Sequence, residues 1–232
     1  MTGVRLVGYN IRALRDDEDA VVRVLRGLRP DIVCLQEVPR FPYQLRDRHR
    51  LARRCGLALV PGRRKAGLAI MLGERVRLEA AEYHLLPRVP RLHLRGLAVA
   101  AVEIEGVRLV AASTHLDLET EARKAHTAEI VSLLDRARRT YEAPVVLSGD
   151  INEEPDGPSW AMLSKAFQDG YAAAPEGEEN TYSAADPHKR IDAIFADHKI
   201  GLTGCGVPAD PAIAKDYPAA TDHRPLLATF TL

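Results

Sequence analysis

Asn10, Glu37, His115, Asp150 with Asn152, and the pair Asp222-His223 each stand where an apolar run of this chain ends or begins, and Asp192 sits inside one. The runs are short and rich in β-branched and small apolar residues, the pattern of buried strands. Singly, each polar group has a plain structural account: a turn-forming Asn, a solvated strand end, a capped turn. Their repetition has no such account, because a sheet carries strand ends to one edge, where a shared site can form. Brought together, the carboxylates of Glu37, Asp150 and Asp222 with the amides of Asn10 and Asn152 make a hard-oxygen donor set that suits Mg2+ or Mn2+. Two imidazoles without a ligating cysteine argue against structural zinc. A carboxylate-held divalent ion beside imidazoles is equipped for phosphoester hydrolysis. The ion neutralises phosphate charge, a carboxylate takes a water proton, and a histidine stabilises the crowded oxygens.

The elements that must position these groups follow from patterning. Val145-Val146-Leu147 runs into Ser148-Gly149, and the glycine allows close backbone packing as the strand ends. Alternation then places Asp150 and Asn152 on one side; a capped turn explains this stretch alone as well as chemistry does. Residues 4–11 and 31–36 read as strands. Between them, residues 16–28 read as an amphipathic helix with an acidic first turn, stopped by Arg29-Pro30. Residues 43–55 are strongly basic with some helical periodicity, first a solvated helix face and second a phosphate-facing edge. Strands are expected at 57–60 and 67–72 around the basic turn Arg63-Arg64-Lys65, with an edge strand at 76–86. An irregular segment rich in Pro, Arg and His covers 87–95. Residues 97–104 and 107–113 form a hairpin around Glu105-Gly106. A long helix at 119–139 and a short one at 160–166 follow, then loop at 170–180, loop and strand at 201–217, and a last strand at 226–232. No repeat, low-complexity tract or linker divides the sequence, which predicts a single domain over 1–232.

With 32 basic and 32 acidic side chains among 232 residues, the chain lacks the basic footprint of sequence-blind polyanion binding, though a local basic cleft remains open. Cys34, Cys55 and Cys205 have no paired spacing, so no disulfide framework is expected. The N-terminus enters a strand-like segment with no secretory pattern, and no apolar run is long enough to span a bilayer. A soluble, cytoplasmic monomer is the expectation.

Taken in order, Tyr9-Asn10-Ile11, Leu35-Gln36-Glu37-Val38, Ser113-Thr114-His115-Leu116, Ser148-Gly149-Asp150-Ile151-Asn152, Arg190-Ile191-Asp192-Ala193-Ile194-Phe195 and Thr221-Asp222-His223-Arg224-Pro225 closely resemble the endonuclease/exonuclease/phosphatase (DNase I-like) superfamily, in the form of a small bacterial-type member. The resemblance implies an α/β four-layer sandwich: two packed, mostly antiparallel β-sheets flanked by helices, with the site at one edge. It implies Glu37 as principal metal ligand with Asn10 and Asp222 assisting. Asp150 would orient or deprotonate the attacking water and Asn152 contact the phosphate. His223 would contact the scissile phosphate, kept protonated and oriented by Asp192, and His115 would be a second phosphate-side imidazole. The cofactor would be Mg2+ or Mn2+, and the partner a phosphoester substrate, with nucleic acid among the candidates. Glu37 is followed by Val38-Pro39 where abasic-site nucleases of the family carry a basic residue, and His115 stands where they have a tyrosine. Weight therefore shifts to a phosphodiesterase or nuclease of another branch. The alternatives are a phosphatase acting on a small phosphoester or phospholipid head group, and a non-catalytic binding module on the same fold. Arg88, Arg91, His93 and Arg95 could border the site and touch substrate phosphate, or form a solvated basic loop. Asp117 is a weaker candidate, and His188, Lys189 and Arg190 read as surface charge.

Overall fold

Runs such as Val4–Tyr9 and Val145–Leu147, apolar at consecutive positions, suit strands covered on both faces, and the fold supplies that cover. The computed structural model describes residues 2–40, 45–62 and 65–232; the expected start of the basic helix at Tyr43 and the turn residues Arg63 and Arg64 lie outside them. Two sheets of six strands pack face to face. The first holds β1 (Gly3–Asn10), β2 (Ile32–Gln36), β3 (Ala58–Leu59), β4 (Ala69–Leu72), β11 (Gly201–Gly206) and β12 (Leu226–Thr231), ordered β11-β12-β1-β2-β4-β3. The second holds β5 (Val76–Leu85), β6 (Gly96–Ile104), β7 (Val107–His115), β8 (Val145–Asp150), β9 (Gln168–Asp169) and β10 (Asp192–Ala196), ordered β5-β6-β7-β8-β10-β9. Each sheet has one parallel pair, β1 with β2 and β7 with β8, and is otherwise antiparallel. The expected sandwich is therefore present.

Helices α1 (Glu18–Leu28) and α2 (Leu45–Cys55) lie outside the first sheet, and α3 (Thr120–Tyr141) and α4 (Pro158–Ala166) outside the second. Asp17 caps α1 by accepting from Asp19 N and Ala20 N, and Glu119 caps α3 in the same way through Glu121 N and Ala122 N. The basic face of α2 is tied to α1. Arg50 reaches Glu18 at 2.6 Å, and Arg54 reaches both Glu18 and Asp19. Arg50 and Arg54 are thus engaged with carboxylates, while Arg46 and Arg53 of the same helix are exposed. The stretch expected as loop at 170–180 contains the short helix α5 (Gly170–Ala173), capped by Asp169. Residues 201–217 resolve into β11, α6 (Pro211–Ala214) and the start of α7 (Tyr217–Ala220). Caps and tertiary bridges, not periodicity, make these short elements.

Register sets the site. In β8, Asp150 pairs with His115 of β7 on one side and Asp192 of β10 on the other. Across the sandwich, Gln36 donates to Ser113 Oγ at 3.0 Å, and Ser113 Oγ donates to Leu35 O, joining the sheets just beneath the strand ends. At Gly149 an added Cβ would lie 2.8 Å from Thr114 O and 2.7 Å from its Cγ2, so the strands carrying His115 and Asp150 can approach only with glycine there. Gly149→Ala is expected to cost about 1–3 kcal/mol of stability through overpacking and to depress turnover with it. Paired thermal melts and rate assays check this; an unchanged melting temperature would refute it.

Candidate active site

Asp150 is the centre of the strand-end cluster and is 1% exposed. Asn10 Nδ2 donates to Asp150 Oδ2 at 2.9 Å and to Glu37 Oε1 at 3.3 Å, so one amide bridges carboxylates from opposite sheets. Its Oδ1 accepts from Arg12 N. Asn152 is brought in by a turn and not by strand alternation. Strand β8 ends at Asp150, and Asn152 has φ +54° with its N–H donating to Asp150 Oδ1. From there Asn152 Nδ2 reaches His115 Nε2 and Leu116 O, both at 3.0 Å. Glu37 also has positive φ (+47°), as do Arg12, Ala13 and Leu14. Left-handed backbone at non-glycine residues is costly; elsewhere it occurs at the C-caps Arg29 and Glu142, and at this edge it falls on Arg12, Glu37 and Asn152.

On the other flank His223 Nδ1 lies 2.8 Å from Asp192 Oδ2, and its Nε2 lies 3.7 Å from Asp150 Oδ2. Thr181 Oγ1 accepts from Asp192 N, and the Tyr182 ring packs 5.1 Å from the His223 ring. Asp192 Oδ1 is buried without a hydrogen-bond partner among the described residues. Asp222 lies at the mouth, its side chain 34% exposed and 3.5 Å from Arg12 Nε. Asp150, Asp192 and His223 offer ligand atoms within 4.8 Å of one another, a group able to hold a metal ion.

The electrostatics separate the two imidazoles. Desolvation lowers His115 to about 3 against the opposing pull of Asp150, so at neutral pH its contact with Asp150 at 3.3 Å involves a neutral ring. Asn152 Nδ2, which also donates to Leu116 O, makes Nε2 of that ring the acceptor. Desolvation acts the same way on His223, but the charge and hydrogen bond of Asp192, with Asp150 and Asp222 behind, outweigh it and raise His223 to about 10. Burial raises Asp150, with His115, His223 and Asn10 opposing.

Asn10, Glu37, His115, Asp150, Asn152, Asp192, Asp222 and His223 thus gather at one edge, Glu37, Asn152 and Asp222 half-exposed and the others buried. The sequence did not point to Arg12, Thr181 or Tyr182. Thr181 and Tyr182 belong to an irregular segment without periodicity, and Arg12, with an exposed side chain, stands in the positive-φ turn after Asn10. Arg95 and Asp117, weak candidates beforehand, form an ion pair at 3.4 Å with both side chains nearly buried. Arg190, read as surface charge, is buried against Asp169 and the Trp160 ring.

The sequence model of the Endonuclease/Exonuclease/phosphatase family matches residues 7–223, nearly the whole span from β1 to His223. The chain belongs to that family. Similar solved structures share its fold. An endonuclease/exonuclease/phosphatase from Bacteroides vulgatus aligns over 100% of both chains with 21% identity and a TM-score of 0.83. The mannosyl-6-phosphatase Bt3783 of Bacteroides thetaiotaomicron aligns over 99% of this chain and 100% of its own, with 18% identity and a TM-score of 0.80. The TDP2 of D. rerio complexed with single-strand DNA product aligns over 100% of both, with 19% identity and a TM-score of 0.72. No curated protein sequence matches this family member. No helix among its described residues is long and apolar enough to cross a membrane.

Proposed function

We propose that this chain is a divalent-metal-dependent phosphoester hydrolase that cleaves phosphodiesters by attack of an activated water. The observation that carries the reading is the setting of Asp150, a buried carboxylate bridged through Asn10 to Glu37 and facing His223 at 3.7 Å. Burial raises Asp150, the direction that makes a carboxylate a better acceptor of a water proton near neutral pH. His223, held by Asp192 through Nδ1, keeps Nε2 as a charged donor for a non-bridging phosphate oxygen. Neutral His115 and the Asn152 amide offer uncharged polar contacts on the opposite side of Asp150.

The residues fit a hard cation. Glu37, beside Asn10, and Asp222, beside Arg12, are partly exposed oxygen donors, and no thiol is among them. A protonated His223 repels a cation, which favours the Glu37 side over the Asp150, Asp192 and His223 group. Glu37 would hold Mg2+ or Mn2+ with Asp222 and Asn10 alongside, and the bound ion would neutralise phosphate charge and help orient water.

In the test, purified protein with Mg2+ or Mn2+ hydrolyses bis-p-nitrophenyl phosphate, and chelation abolishes the rate. Glu37→Ala and His223→Ala each lower it by roughly 10²-fold or more, the scale of losing a positioned acid–base or charge-stabilising group. Full activity in both variants would overturn the assignment, and an inactive wild type with every metal would leave a non-catalytic binding module on this fold. A second reading, a phosphatase acting on a small phosphoester, is favoured by the engagement of Arg50 and Arg54 of α2 with α1, which takes two cations from the surface open to a long polyanion. Preference for p-nitrophenyl phosphate over the diester would select it.

A further inference from the structure

The segment 87–95 leads into β6 and is fastened at both ends. His126 of α3 lies 2.9 Å from Pro87 O, and Arg95 O accepts from Leu86 N. At its end, the Arg95 side chain is 10% exposed, and its only hydrogen bond among the described residues runs from Nε to Asp117 Oδ2 at 3.4 Å. A guanidinium has five N–H donors, so protein atoms among the described residues leave most of this near-buried cation's donors open. A structural arginine in the same molecule looks different: Arg123, equally buried, donates to Glu153, to Asp117 O, to Leu118 O and to Thr120 Oγ1. Arg95 also lies close enough to Asp150 and Glu37 for the charges to act on one another. Its anchor is rigid: Asp117 is 5% exposed at the side chain, its Oδ1 accepts from Glu119 N, and its carbonyl accepts from Arg123.

We infer that Arg95 is a phosphate-binding residue of the site, presented by Asp117 as its positioning partner. The arrangement parallels the other flank, where His223 is backed by Asp192. Asp150 therefore lies between two cation–carboxylate units, one of them a guanidinium whose charge does not depend on pH. An anion with several oxygens satisfies the spare N–H donors that protein atoms leave open. The inference rests on the phosphoester reading of the same site and adds the residue that would grip the phosphoryl oxygens beyond His115.

The experiment measures inorganic phosphate in two ways, as an inhibitor of bis-p-nitrophenyl phosphate hydrolysis and as a ligand that raises the melting temperature without substrate. Arg95→Ala is expected to weaken phosphate in both by roughly tenfold or more, the scale of losing a charge-assisted hydrogen bond, and to raise KM more than it lowers kcat. Asp117→Asn, which frees the guanidinium without removing it, should give a smaller loss in the same direction. If Arg95→Ala does not fold, Arg95→Lys is compared instead, with an intermediate loss expected from a point charge in place of the fork. Unchanged phosphate affinity and KM with a lowered melting temperature would reduce the pair to a structural ion pair and overturn the inference, as would a wild type that phosphate does not stabilise. A protein that turns over no phosphoester yet is stabilised by phosphate through Arg95 would sink the hydrolase reading and leave this one standing.

Discussion

Asp150→Asn is expected to lower kcat/KM for bis-p-nitrophenyl phosphate by roughly 10²–10⁴-fold, the range for a general base, and to raise the melting temperature at neutral pH. Both effects come from one fact, the burial of an ionised carboxylate in the sandwich. Desolvation raises Asp150 above its ordinary value, so the folded protein holds a proton there more tightly than the unfolded chain does. For a raised group the stabilising contribution is complete below the unfolded pKa and is lost as pH rises through the folded one. At neutral pH the ionised form is therefore a liability to the fold. Asn at 150 keeps an oxygen for the Asn152 N–H and needs no charge, and the Asn10 amide, which loses Oδ2 as an acceptor, retains Glu37 Oε1. A chain that becomes more stable and less active on one isosteric change has a site maintained against stability. Retained turnover would remove Asp150 from the mechanism, and a fall in melting temperature would show that its charge contributes to the fold.

Asp192→Asn should move the alkaline limb of the pH–rate profile to lower pH and make the variant nearly inactive above neutrality. In the wild type, Asp192 overcomes the desolvation that would otherwise hold His223 down, and lifts it from 6.5 to about 10. Without that charge burial dominates, the ring is neutral near pH 7, and the phosphate loses its charged donor. Stability gives an independent readout. A raised histidine stabilises fully below 6.5, and this contribution declines as pH rises towards about 10. With chelator present, the wild-type melting temperature should fall across that window by more than the variant's does. Parallel melting curves would mean that the Asp192–His223 contact does not hold the proton.

The fold was legible in this sequence because its strands are buried on both faces and its strand ends are polar, so each boundary carries its own mark. Asn10, Glu37, His115 and Asp150 were visible for that reason. Asn152 lies beside Asp150 for a different reason than alternation: the strand stops at Asp150, and a left-handed turn brings the amide back. The Arg95–Asp117 pair was harder to see because neither residue lies in a strand, and burial of a charge in an irregular segment depends on what the second helix layer covers. The arginines of α2 misled in the other direction. The partners of Arg50 and Arg54, Glu18 and Asp19, are about thirty residues away in the chain, and no local pattern reveals that these two cations are already paired.

The division of the site between the two sheets bears on how the protein is made. Asn10 and Glu37 emerge first from the ribosome and belong to one sheet, while His115, Asp150 and Asp192 arrive later in the other. His223 comes last, just ahead of β12, which lies against β1. A growing chain therefore holds neither a complete set of charges nor the surface on which to align them until its final strand has paired with its first. Partly synthesised or half-folded forms therefore lack the assembled strand-end cluster.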